Sequence, residues 1–226
     1  MDNKKIKNIK IFGERNSGTN FLYQLLEENV NNVKLCSGAY NCKTGWKHGF
    51  PKLHLFKNLK NTLFIFIIRD LEKWLKSMYV NPYHLKRINN VDLFLTKKLK
   101  PNDYRKDHDV NKYKYEKNIN IFKLRYTKIK SYFNCFKFIN NALIINLEDI
   151  QLDKGEKLIK VLNESFKISI NNKFVPILKH TKTKKNEQNK NIILNFNKNI
   201  LNQHKNNSIE NDVINIKNNY LIKTIF

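Results

Sequence analysis

Glycine and proline are scarce in this chain of 226 residues, six and four in all, which excludes fibrous and collagen-like classes. Cysteine is rarer still: Cys36, Cys42 and Cys135 are an odd number at unpatterned spacing. That excludes a disulfide scaffold and fits reduced thiols in a reducing compartment. Acidic residues are few, 19 against 43 Lys and Arg, for a formal net charge of +24. Long apolar runs are missing as well. The longest, Leu63 to Ile68, has six residues, where a spanning helix needs roughly 20. The opening MDNKKIKNIKIF has no apolar stretch long enough for a signal peptide. The expectation is a soluble, cytoplasmic protein with no membrane span.

What is present suffices for one core, since 41% of residues are hydrophobic and 12% aromatic, and one domain over 1–226 is the natural division. The positive surface suits anions: nucleic acid, nucleotides, sulfated or acidic glycans, or an acidic membrane face. The abundance of Asn, Lys and Ile, residues that AT-rich codons supply, offers part of that charge a second origin in genome composition.

Along the chain, Lys7 to Phe12 alternates around Ile9 and Ile11, and Phe21, Leu22, Leu25, Leu26 and Val30 then recur at helical spacing. This is strand, tight loop, helix. Val33 to Cys36 reads as a short second strand, and Ser37 to Pro51 as a loop. Five of the six glycines lie between residues 13 and 49, where the backbone most needs unusual dihedrals or close approach. Thr62 to Ile68 (TLFIFII) has the pattern of a strand buried on both faces, followed at once by Arg69 and Asp70. Leu71, Trp74, Leu75 and Met78 mark the next helix, with Asp70 placed to cap it. Ile121 to Phe138 reads as a long amphipathic helix, and Ala142 to Leu147 as a further strand ending at Glu148 and Asp149. Leu158, Ile159, Leu162 and Phe166 form the helix after it. Lys97 to Lys117 is a polar insertion, Lys179 to Lys190 a basic loop, and Ser208 to Tyr220 is apolar at helical spacing. Alternating strands and helices imply an α/β fold with a mostly parallel sheet, whose ligands bind at the carboxyl ends of the strands. Arg69, Glu148 and the Gly13 loop all belong to such ends.

Gly13-Glu-Arg-Asn-Ser-Gly18-Thr19-Asn20 has the G-x4-G spacing of a phosphate-binding loop between a strand and a helix. Its backbone N–H groups and the helix N-terminus are suited to an anion. The Lys-Ser/Thr ending that would serve a Mg²⁺-bound nucleotide is replaced by Thr19-Asn20, which disfavours a metal-dependent ATP or GTP hydrolase. After Ile68, Arg69 is followed by Ser77 eight residues on, about two helical turns into the next helix.

SGTNFL followed by RDLEKWLKSMY resembles the nucleotide-dependent sulfotransferases, in which a 5′-phosphosulfate loop precedes an Arg-Asp motif with Ser eight residues after the Arg. Gly45-Trp46-Lys47-His48-Gly49-Phe50-Pro51 is similar to that family's Lys-x-His-x-Pro stretch, with Lys and His adjacent here and Pro one residue later. Ala142 to Ile150 (ALIINLEDI) looks like its strand ending in Glu-Asp-Leu. The resemblance covers roughly residues 7–165, in family order. It implies a three-layer P-loop-NTPase-like fold, a mostly parallel central sheet flanked by helices. It also implies sulfuryl transfer from 3′-phosphoadenosine 5′-phosphosulfate to a hydroxyl or amine acceptor, possibly a carbohydrate.

On that resemblance Arg15, Asn16, Ser17, Gly18, Thr19, Asn20 and Phe21 form the 5′-phosphosulfate loop, and Arg69 and Ser77 grip the 3′-phosphate. His48 is the candidate general base. Many members carry Lys immediately before Ser-Gly-Thr, where this chain has Asn16. Arg15 is therefore preferred as the loop cation, with Lys47 as its active-site partner. The family's Arg-Lys-Gly signature is absent from Lys179 to Lys190. Cys36, Cys42 and His48 lack a convincing fourth ligand, and no metal is expected. Glu148 and Asp149 read as orienting residues, and Trp46 either lines the acceptor site or packs under the loop. Two alternatives remain: a P-loop nucleotide kinase or phosphotransferase, which would need Mg²⁺ and ATP, and a non-enzymatic polyanion binder. The expected partners are a nucleotide donor and a small-molecule or glycan acceptor, not nucleic acid.

Overall fold

The computed structural model describes residues 5–36, 45–51, 59–82, 86–99 and 119–177. In chain order its elements are β1 (Asn8–Gly13), α1 (Thr19–Asn29), β2 (Val30–Asn31), β3 (Lys34–Cys36), β4 (Thr62–Ile68), α2 (Leu71–Val80), α3 (Val91–Thr96), α4 (Ile121–Cys135), β5 (Ala142–Asn146), α5 (Leu147–Leu152), α6 (Glu156–Phe166) and β6 (Ser169–Ile170). Four strands form one sheet in the order β3-β1-β4-β5, and every neighbouring pair in it is parallel. The chain is α/β, with helices on both faces of that sheet. Strands β2 and β6 make a separate antiparallel pair.

The apolar run of β4 explains its central place, because all seven of its residues are buried and only a strand covered on both faces gains from continuous hydrophobicity. One face of the sheet (Ile9, Ile11, Leu63, Ile65, Ile67, Leu143 and Ile145) packs on Leu22, Leu25 and Leu26 of α1 and Leu158, Ile159 and Leu162 of α6. The other face (Phe12, Phe64, Phe66, Ile68 and Ile144) packs on Ile129, Tyr132 and Phe133 of α4. A third cluster joins α2 to α3 and to the start of α4 through Trp74, Leu75, Met78, Phe94, Leu95, Ile121 and Phe122.

Most element positions follow the sequence pattern, with local differences at the ends. Helix α4 stops at Cys135 and not at Phe138, because residues 136–138 leave the helix as a turn in which Phe138 N–H donates to Cys135 O, and Phe138 is exposed. Strand β5 stops at Asn146, whose side-chain amide donates to Asp149 Oδ2, so Leu147 opens the short helix α5. Helix α3 has only six residues, and Asn90 caps it by accepting from Leu93 N–H.

The cysteine reading needs one correction. Cys36 is disulfide-bonded and is not a reduced thiol. An odd count excludes complete pairing but permits one bridge. Cys135 is free and buried, and burial pushes its thiol up to about 12. Of the 97–117 insertion, Leu99 pairs with Ile119 in an isolated antiparallel bridge, while 100–118 lies outside the described residues. Cys42, Lys179 to Lys190 and Ser208 to Tyr220 also fall outside them. Among the described residues no helix is long and apolar enough to cross a membrane.

Candidate functional site

The sheet order reverses direction between β1 and β4: from β1 the chain moves outward to β3, and from β4 it moves the opposite way to β5. Helix α1 covers one face of the sheet and α4 the other. The carboxyl ends of β1 and β4 thus flank the point where strand order reverses, the place at which open α/β sheets hold ligands in a crevice. The Gly13 loop leaves one lip and Arg69 leaves the other.

Residues 13–18 make a tight turn into α1. Gly13 lies opposite Ile67 of β4, and a Cβ there would stand 2.8 Å from Ile67 O and 2.6 Å from Ser17 Oγ. Asn16 (φ 61°) and Gly18 (φ 91°) adopt left-handed conformations. Ser17 is fully buried, and both its N–H (3.2 Å) and its hydroxyl (2.7 Å) donate to Glu14 O. The Ser17 hydroxyl therefore braces the loop from within. Helix α1 begins at Thr19, directly after this turn, so the loop runs into a helix N-terminus, the end that favours anions. The Phe21 side chain itself turns into the core.

The segment 45–51 closes over the same loop. Gly13 N–H donates to Lys47 O at 2.9 Å, and His48 Nδ1 lies 2.9 Å from Gly13 O. Because a carbonyl can only accept, His48 Nδ1 carries the proton and Nε2 presents a lone pair. Burial, with Lys47, Arg15 and Lys128 nearby, pushes the imidazole down to about 3, partly opposed by the bond to Gly13. His48 is thus neutral at pH 7. Trp46 meets the His48 ring edge-on, centroids 4.9 Å apart, and the Arg15 guanidinium lies 4.3 Å above the Trp46 ring. The Lys47 ammonium donates to Asn20 Oδ1 in the first turn of α1, and burial lowers its pKa. Lys47 and His48 come together here with Arg15 and Asn20, which lie far from them in sequence.

On the second lip, Arg69 Nη1 donates to Asn16 O (3.0 Å), while Arg69 Nε is buried with no hydrogen-bond partner, 3.7 Å from Glu148 Oε1. Glu148 Oε2 accepts from Asp70 N–H at 2.9 Å, so Glu148 ties the tip of β5 to that of β4. Asp70 also accepts from Lys73 N–H and caps α2. Trp74 Nε1 donates to Arg15 O at 2.8 Å, and the Asn16 amide reaches Met78 Sδ and Asn81 O. Ser77, three residues after Trp74 and four before Asn81, lies on that same face of α2, toward the loop.

Four buried polar residues at this crevice carry no motif. Glu14 is 1% exposed and pairs with Arg125 of α4 at 2.9 Å. Burial raises the Glu14 carboxyl, with Arg125 and Lys128 pulling the other way. Lys128 Nζ donates to His48 O at 3.0 Å, and Lys10 Nζ, fully buried on β1, donates to Gly45 O at 2.7 Å. Burial, then Lys47, lowers Lys10 to about 8. A charged residue at a core position is the signal that could have found them, since burying Glu, Lys or Arg is costly without a partner. Yet in so basic a chain a lysine attracts no notice. Among the described residues no cluster of three or more His, Cys, Asp or Glu stands close enough to hold a metal ion. Compared with family models, curated proteins and solved structures, the chain finds no match.

Proposed function

We propose that the crevice between β1 and β4 binds 3′-phosphoadenosine 5′-phosphosulfate and transfers its sulfuryl group to a hydroxyl or amine acceptor, on a P-loop-like fold. The observation that carries the reading is the meeting of Lys47 and His48 with the Gly13 loop. It sets an imidazole whose Nδ1 is held by Gly13 O, leaving Nε2 as the second ring nitrogen, beside a helix N-terminus and two cations. Sulfuryl transfer asks little covalent help of a protein; catalysis is positioning and neutralisation of charge in line. In this reading the first-turn N–H groups of α1 cradle the 5′-phosphosulfate, and Arg69 with Ser77 holds the 3′-phosphate. Glu148, 3.7 Å from Arg69 Nε, orients the guanidinium that would meet the phosphate. His48 Nε2 takes the acceptor's proton as the new S–O bond forms. The bond from sulfur to the bridging oxygen breaks, and Lys47 with Arg15 balances the charge left on 3′-phosphoadenosine 5′-phosphate.

The decisive measurement is calorimetric binding of 3′-phosphoadenosine 5′-phosphate in EDTA, compared with ATP in Mg²⁺, on wild type and Arg69→Ala. Tight metal-independent binding is expected, weakened about 10- to 100-fold in the variant, the range for losing hydrogen bonds between charged groups. Preference for Mg·ATP would replace the proposal with a nucleotide kinase. Weak binding of both with steep salt dependence would replace it with a polyanion binder.

A further inference from the structure

The two lips of the crevice are bolted together by one buried side chain that belongs to neither. Arg125, at 9% exposure, projects from α4. Its Nη1 donates to Glu14 Oε2 (2.9 Å), in the loop after β1, and its Nη2 to Arg69 O (2.6 Å), at the tip of β4. Its guanidinium lies 4.8 Å from the centre of the Trp74 ring, and Trp74 Nε1 in turn holds Arg15 O. The planar fork thus reaches a side chain of one segment and the backbone of the other, which a lysine, with a single point charge, cannot do with the same two-pronged geometry. Burying such a pair seldom adds net stability over apolar packing, so its presence points to a geometric role.

We propose that Arg125 is a positioning residue, its fork between Glu14 and Arg69 O fixing the Arg69 strand tip against the phosphate loop and so setting the preference for nucleotides that carry a 3′-phosphate. The inference rests on the donor reading above and deepens it. Arg125→Lys keeps a cation beside Glu14 but releases Arg69 O, so the effect should fall on the 3′-phosphate alone.

The test is calorimetric titration in EDTA with 3′-phosphoadenosine 5′-phosphate and with adenosine 5′-phosphate, on wild type, Arg125→Lys and Trp74→Phe. In wild type the first nucleotide should bind more tightly. In Arg125→Lys that ratio should fall about tenfold, with adenosine 5′-phosphate affinity unchanged within about threefold. Trp74→Phe, which frees Arg15 O but keeps a ring beneath Arg125, should weaken both nucleotides equally. A variant that is merely less well folded would also lose both together, so parallel losses in Arg125→Lys, or an unchanged ratio, overturn the proposal. If Arg125→Lys does not yield folded protein, the double variant E14Q/R125Q removes both buried charges and the reach to Arg69 O, and carries the same expectation. A wild type indifferent to the 3′-phosphate overturns the donor reading, and this inference with it.

Discussion

Gly18 stands at the N-cap of α1 with φ 91°, and a Cβ there would lie 2.5 Å from Leu147 Cδ1. Left-handed backbone costs a non-glycine residue roughly 1 to 2 kcal/mol, before any displacement of Leu147. Gly18→Ala should therefore lose about 2 kcal/mol in urea unfolding, together with most nucleotide affinity, because the displaced turn carries the first N–H groups of α1. His48 makes a different prediction. Its imidazole is held down to about 3 in the folded chain, while in the unfolded chain it titrates near 6.5. The unfolded state thus binds more protons between those values, and stability falls as pH drops through that window. The stability difference between wild type and His48→Gln should be constant above about pH 6.5 and shrink steadily below it, as followed by urea midpoints between pH 4 and 8. A difference independent of pH would mean that the ring is not buried in its neutral form.

Helix α2 shows how a local signal places a distant contact. Asp70 accepts from Lys73 N–H and caps the helix, and its own N–H is held by Glu148 at the start of α5. The cap therefore fixes where the Trp74, Ser77 and Asn81 face begins. Asp70→Ala should cost about 1 kcal/mol, the usual worth of an N-cap, measured by thermal or urea unfolding. Because Asp70 adjoins Arg69, it should also weaken 3′-phosphoadenosine 5′-phosphate more than adenosine 5′-phosphate. The exposed pair of Glu72 and Lys76 on the same helix should contribute little by comparison.

Across the whole molecule, the segment carrying His48 is joined by buried lysines to the sheet, through Lys10, and to α4, through Lys128. Lys10 lies beneath that segment, its ammonium on Gly45 O, and burial holds it down to about 8, against roughly 10.4 in an unfolded chain. Below pH 8 the fold bears the full cost of burying that charge, and stability rises as pH increases from 8 toward 10.5 because the unfolded chain then holds more protons. Lys10→Met should be at least as stable as wild type at pH 7 and should lack this alkaline rise, as read by urea unfolding at pH 7, 8.5 and 10. An equal rise in both proteins would assign it to other groups. The same variant should bind nucleotide less well, since Gly45 O loses its anchor and the segment above it loosens.

Much of the α/β pattern was legible locally. TLFIFII has the pattern of a strand covered on both faces, the Gly13 to Asn20 spacing that of a loop between strand and helix, and Asp70 the place of a cap for α2, because hydrophobic period and capping chemistry act over a few residues. The same locality limits what they reveal. The order β3-β1-β4-β5 depends on packing between elements, and that order puts the crevice between the Gly13 loop and Arg69. Lys47 and His48 were candidates in the sequence, but only the pairing with Gly13 brings them to the loop and decides which ring nitrogen carries the proton. Glu14, Arg125, Lys128 and Lys10 had no motif to announce them. Their burial is a property of the closed sheet and its covering helix, where a charge must find its partner across more than a hundred residues, as Arg125 finds Glu14.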